Sequence, residues 1–306
     1  MAKKQKPQAE QQSRGVLILA MGHHYYGRMA FNLAVSIKAE DPDAQICLAY
    51  ADNALADLFR YDIYKYFDKV IKVPDEYRRR RGHQENIHAK LYIPEITPYD
   101  STLYLDADTI WLPGRKVSAL MDELAKVPLA IQNHGSMDLA KQLPARPENF
   151  FWASPAAIKQ AYNLTSGKLF ALFSEAIWIQ KKDTNTELFK IARELASDMQ
   201  VDFMEFAGGI PDELPLSIAM AMTGTYPHKA GWRPIYWEHI ERLQLYNNQE
   251  AMQMQFWGLS TGGKVTPQGI KNTYNYLADL CFHKEGLRYP YHVINKKEFL
   301  LERKKI

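Results

Sequence analysis

The chain alternates between short apolar runs and stretches with helical spacing. Gly15 to Met21 is continuously apolar, as expected for a strand buried on both faces of a parallel sheet. Gly22 follows, then a polar and aromatic turn, and Met29, Leu33 and Ile37 recur at helical spacing up to Asp41-Pro42. Gln45 to Ala51 reads as a second strand closing on Asp52, Leu55 and Leu58 as the start of a short helix, and Lys69 to Val73 as a third strand. Asn86 to Ile93 is expected to be helical, and Thr102 to Trp111 holds a strand. Val117 to Lys126 reads as a helix, Leu129 to Gln132 as a strand, and 133–153 as loop. Further on come a strand at Phe170–Gln180, helices at Thr184–Asp198 and Asp212–Thr223, and a strand at Gln253–Gly258. A last helix spans Pro267–Lys284, with Pro267 near its start and Gly286 just past its end. This strand–helix alternation predicts an α/β fold with a mostly parallel sheet flanked by helices. No repeat or strong linker divides it, so the expectation is one domain over 15–295, a disordered basic tail over 1–14 and a basic tail over 296–306.

Thr102 to Trp111 carries the chemistry. The apolar run Leu103-Tyr104-Leu105 delivers Asp106, Ala107 and Asp108 at its end. Residues i and i+2 of a strand point the same way, so Asp106 and Asp108 can converge, and small Ala107 does not crowd them. Two convergent carboxylates suit a hard divalent cation such as Mn²⁺ or Mg²⁺. In an open parallel sheet, ligands bind beyond the carboxyl ends of the strands. The turn Ala20 to Tyr26 lies at such an end, Gly22 allows close approach of a base or ribose, and Asp52 ends the next strand.

Composition narrows the class. The formal charge is +3 and 46% of residues are hydrophobic, enough for a substantial core. The positive charge sits at the ends: Lys3, Lys4, Lys6 and Arg14 against Glu10, and five basic residues against Glu298 and Glu302 over 296–305. The body between is slightly acidic, which argues against a broad nucleic-acid-binding face. Arg78 to Arg81 is a basic run expected on a loop. The two cysteines, Cys47 and Cys281, lie in apolar segments and suggest a reducing compartment. No run is long enough for a signal-peptide core or a membrane span, and the expectation is a cytoplasmic protein. The sequon-like Asn163-Leu164-Thr165 carries no weight without signs of secretion.

These pieces resemble the retaining GT-A glycosyltransferases of the glycogenin and lipopolysaccharide galactosyltransferase type, family 8. Four segments carry the resemblance, over about residues 15–225. They are the opening strand and turn with Tyr26 and the helix Ala30 to Ile37, His88-Ala89-Lys90-Leu91-Tyr92-Ile93-Pro94, Leu103 to Pro113, and Pro211-Asp212-Glu213-Leu214-Pro215-Leu216, where the family has Asp-Gln opening a helix. The resemblance implies a donor nucleotide sugar, expected to be a UDP-sugar, with its metal on Asp106 and Asp108 and its phosphates near Lys90. Ala20, Gly22, Tyr26, Asp52 and Ala107 would line the donor site. Asp212 and Glu213 would lie near the transferred sugar and act by charge and positioning.

Two departures from the family stand out. Where it has Asn-Ser-Gly entering a strand, this chain has Ser174-Glu175-Ala176. Glu175 thus adds a carboxylate, either facing the sugar or pairing with an arginine. The family's late His-x-x-Gly-x-x-Lys-Pro motif is matched only in part. Ser260-Thr261-Gly262-Gly263-Lys264 keeps glycines and a lysine, while His283-Lys284-Glu285-Gly286 keeps the histidine. The first is expected to cradle diphosphate, and Ser260, water or His283 would complete the metal. The acceptor is left open among glycan, protein, small molecule and modified DNA base. A metal-dependent nucleotidyltransferase and a non-catalytic nucleic-acid-binding protein remain the alternatives.

Overall fold

A computed structural model describes residues 13–146, 151–181, 183–206, 208–228, 233–236, 241–244, 256–261 and 267–293. The central sheet has six strands. They are β1 (Arg14–Ala20), β2 (Ile46–Tyr50), β3 (Lys69–Lys72), β6 (Ser101–Asp106), β8 (Leu129–Asp138) and β9 (Lys168–Gln180), in the order β3-β2-β1-β6-β9-β8. The first four run parallel, whereas β9 pairs antiparallel with both β6 and β8. A two-stranded hairpin joins β4 (Arg79–Arg80) to β5 (His83–Gln84). A three-stranded sheet joins β7 (Thr109–Trp111), β10 (Arg233–Ile235) and β11 (Phe256–Ser260).

The continuous apolar runs follow from burial on both faces. Val16, Ile18 and Ala20 of β1 face one core, and Leu17 and Leu19 face the other. The first core is closed by α1 (His24–Glu40) and the last helix, Gln268–Lys284, and holds Trp111 and Trp257. The second is closed by the short helix α2 (Ile93–Ile96), α5 (Asp183–Ser197) and α6 (Glu213–Thr223). Two further helices complete the layers: α3 (Val117–Leu124) packs Val117, Leu120, Met121 and Leu124 into the first core, and α4 (Pro155–Ala161) packs Ile158 into the second, which makes the last helix α7. Phe31 of α1 meets Phe282 of α7 edge-on at 5.8 Å, and Asn32 donates to Tyr274 Oη at 3.3 Å, so the two helices lie side by side.

Three expectations change. Leu55 and Leu58 lie in successive turns rather than a helix, following Asp52, whose positive φ of 54° breaks the chain direction. Residues 133–138, expected as loop, extend β8, because the 13-residue β9 offers them a ladder. The Arg78–Arg81 run is not a free loop. Arg78 ends a 3-10 turn, Arg79 and Arg80 form β4, and Arg81 makes the hairpin turn with Gly82. Residues 1–12 of the expected first tail and the whole of the expected tail 296–306 lie outside the described residues, while Arg14 begins β1.

Candidate active site

After β1 the chain fills the sheet on one side with β2 and β3, then returns to the other side with β6. The carboxyl ends of β1 and β6 therefore flank a topological switch point, where open sheets bind ligands. A cavity of about 680 Å³ opens there, lined among others by Gly22, Tyr26, Lys90, Asp106, Asp108 and Glu213. Its size suits a ligand larger than a simple sugar.

Hydroxyl groups pin the backbone of the acidic turn. Thr109 Oγ1 donates to the Asp106 carbonyl at 2.7 Å, and the amide and Oγ1 of Thr261 donate to the Asp108 carbonyl at 3.0 and 3.1 Å. Ser260 Oγ is buried beside this turn and has no hydrogen-bond partner among the described residues. The Asp106 carboxylate is held by Lys90 Nζ at 2.9 Å and by the Tyr104 hydroxyl. Lys90 also donates to Ser174 Oγ at 3.2 Å and lies 4.0 Å from Asp212. Ser174 in turn donates to Glu213 at 2.9 Å. Burial opposes the charge of Lys90, but Asp106 and Asp212 outweigh it and hold the ammonium well above the ordinary lysine range.

Asp212 caps α6 by position, yet its carboxylate bonds no helix amide, and neither oxygen has a hydrogen-bond partner. An N-cap aspartate ordinarily uses that carboxylate on the helix. Here the side chain is buried against Lys90 instead, and burial raises its pKa. Burial and Asp212 push Glu213 upward, and burial, Asp106 and Glu213 push Glu175 well above the usual carboxylate range. Glu175 lines the cavity, with its Oε2 buried and unpartnered. Six acidic side chains thus line the cavity, of which Glu85 is paired with Arg80, and Lys90 brings the charge of one cation. All offer oxygen, so the donor set fits a hard divalent ion at Asp106 and Asp108. Among the described residues no three His, Cys, Asp or Glu side chains gather into a metal site.

The remaining predicted residues separate. Gly22, with φ 86°, sits under Asn86, whose amide would lie 2.8 Å from an added Cβ. Tyr26 and Ala107 line the cavity. Ala20 does not; its side chain packs in the core. Asp52 is turned to the fold, accepting from the Gly22 amide at 3.0 Å and from Arg78 at 2.8 Å. Gly262, Gly263 and Lys264 lie outside the described residues. His283 is exposed in the last turn of α7. Its neighbour Lys284 meets Glu40 at the far end of α1 from His24, so the histidine is not brought to Asp106 and Asp108. Three of the four arginines of the basic run are spent internally, while Arg79 is exposed on β4. Arg78 is buried between Asp52 and Asp75, Arg80 pairs with Glu85, and Arg81 reaches Ser197 and Asp198. Sequence reading missed Tyr104, Ser174, Thr261 and the Phe173–Tyr236 stack, whose ring centroids are 4.4 Å apart.

A mixed sheet with its acidic turn at this switch point, flanked by helices on both faces, is the GT-A fold of glycosyltransferases. The chain is similar to the galactosyltransferase LgtC, solved with donor and acceptor sugar analogs, at 17% identity and a TM-score of 0.51, over 87% of this chain and 95% of that one. An active-site mutant of LgtC matches over the same shares, at 16% identity and a TM-score of 0.52. The bifunctional glycosyltransferase WbbM matches at 12% identity and a TM-score of 0.53; the match covers 91% of this chain and 53% of WbbM. No family model and no curated protein matches the sequence.

Proposed function

We propose that the protein is a metal-dependent glycosyltransferase. It moves a sugar from a nucleotide sugar, with a UDP-sugar as the expected donor, to an acceptor hydroxyl with retention of configuration. The observation that carries this reading is the chain of hydrogen bonds from Asp106 through Lys90 and Ser174 to Glu213 at the switch point, with Asp212 4.0 Å from Lys90. Asp106 and Asp108 would hold Mn²⁺ or Mg²⁺, which supplies Lewis-acid neutralisation of the leaving diphosphate. Lys90 adds a second positive charge to that leaving group, as a point-charge phosphate partner. Asp212 would oppose positive charge developing at the anomeric carbon of an oxocarbenium-like transition state, and Glu213, which burial and Asp212 push up to about 8, would position the sugar by hydrogen bonding. Ser174 couples the two halves by bonding both Lys90 and Glu213. Gly22 and Tyr26 line the cavity at the β1 end, where the nucleoside would lie.

The acceptor stays at the level of a hydroxyl-bearing molecule. A nucleic-acid acceptor draws no support from Arg78, Arg80 and Arg81, which are bound to the protein's own acids and backbone. The test is calorimetric titration with UDP-, GDP- and CDP-sugars, with and without Mn²⁺. Metal-dependent binding of one nucleotide class supports the proposal, and absence of binding by all of them from folded protein rejects it.

A further inference from the structure

Glu175 has no role in holding the fold together that the described contacts reveal. It stands on β9, one position before Ala176, which pairs with Leu105. That pair ends the ladder, so Glu175 and Asp106 both lie just past it, and both line the cavity. Its Oε2 is buried, without a hydrogen-bond partner, in the wall of the cavity. No arginine pairs with it in an ion pair among the described residues. A buried polar atom without a partner is costly, and a ligand that supplies one removes the cost.

The position along the sheet says which part of a ligand reaches it. The cavity runs from Gly22 and Tyr26 over β1, past Asp106 and Asp108 at the end of β6, to Ser174 and Glu175 on β9. A donor laid with its nucleoside over β1 and its diphosphate at the acidic turn carries its sugar onto β9. There Phe173 and Tyr236 form a stacked aromatic pair beside Glu175, and Glu213 approaches from α6. An aromatic face with carboxyl groups at its rim suits a pyranose or furanose ring, whose C–H face is apolar and whose hydroxyls are not.

We propose that Glu175 is a specificity-determining residue that hydrogen-bonds one ring hydroxyl of the transferred sugar, so that the enzyme selects donors bearing a free hydroxyl at that position. This rests on the glycosyltransferase reading and adds the substrate feature that reading leaves open. A hydroxyl fits because it can both donate and accept. A deoxy or fluoro substituent there leaves the carboxyl without a donor-and-acceptor partner, and an acylated hydroxyl has no proton to give.

The experiment measures kcat/KM of the wild type, Glu175→Gln and Glu175→Ala against the preferred nucleotide sugar and its series of monodeoxy and monofluoro analogues. The wild type is expected to lose about 10- to 100-fold on one deoxy position more than on the others. In Glu175→Ala that extra loss disappears while the parent donor falls by a similar factor. Glu175→Gln, which keeps a donor and an acceptor, retains most of the discrimination. Thermal unfolding of each variant checks that it is folded. A wild type that treats all deoxy positions alike overturns the assignment without any variant. An unchanged analogue profile in Glu175→Ala, with turnover intact, overturns it while leaving the transferase reading in place. A wild type that uses no nucleotide sugar overturns that reading first.

Discussion

Lys90 has three partners in the cavity wall, and each was drawn from a different part of the chain: Asp106, Ser174 and Asp212. Removing it leaves buried carboxylates facing one another and takes a cation from the leaving group. Lys90→Met is expected to lower kcat/KM by about 10²- to 10³-fold, the usual effect of losing one preorganised charge partner in a dry site. Turnover within threefold of the wild type would contradict its role. His88, two residues earlier, is buried, and burial pushes its imidazole down to about 4. The folded value lies below the unfolded one, near 6.5, so on acidification the unfolded chain takes up the proton first. The stability due to neutral His88 is therefore complete above pH 6.5 and lost between there and pH 4, by up to about 3 kcal/mol. Denaturant titrations across that window should show this loss in the wild type and a flatter profile in His88→Phe; equal slopes would refute it. Asp106 stands out in the sequence as a charge at the end of an apolar run, whereas Lys90 and Asp212 are marked only by the family resemblance of their segments. Ser174 and Thr261 are not legible there, because a hydroxyl's use depends on partners up to 153 residues away that only the fold supplies, whereas Tyr104 meets Asp106 two positions along the same strand and reads in sequence as one more apolar strand residue.

The strands that position the site were readable because β1 and β6 are buried on both faces, and such burial demands unbroken apolar sequence. The second half of β8 was not. Asn133 to Asp138 is largely polar and partly exposed, and its strand character comes from the length of β9. The turns at 52–57 likewise misled, since Leu55 and Leu58 have helical spacing but pack beside α1 without a helix. Gly27 shows how tight that packing is: a Cβ there would stand 1.6 Å from the Ala54 carbonyl oxygen. Replacing a helical glycine by alanine ordinarily gains up to about 1 kcal/mol. Here the clash with backbone opposes that gain, and Gly27→Ala is expected to destabilise by about 2 kcal/mol net. Its midpoint in guanidinium checks this, and a midpoint at or above that of the wild type would show that α1 can slide away.

At the scale of the molecule, the two cores clamp the sheet and leave its carboxyl edge open at one switch point. The acids collect there, while the most conspicuous basic run, Arg78 to Arg81, braces the hairpin and Asp52 against the body. No helix among the described residues is long and apolar enough to cross a membrane. The fold class was legible from strand–helix alternation; the antiparallel pairing of β9 was not, because pairing direction leaves no periodicity of its own. The divalent cation proposed at Asp106 and Asp108, beside Lys90, is the central claim about this edge. The most direct test is release of free sugar and nucleotide from the donor by chelated protein, before and after Mn²⁺ is restored, compared with a folded Asp106→Asn/Asp108→Asn variant. The account predicts turnover that returns with Mn²⁺ in the wild type and stays at least about 10²-fold lower in the variant. Equal turnover by the chelated wild type, or by the variant, would contradict it.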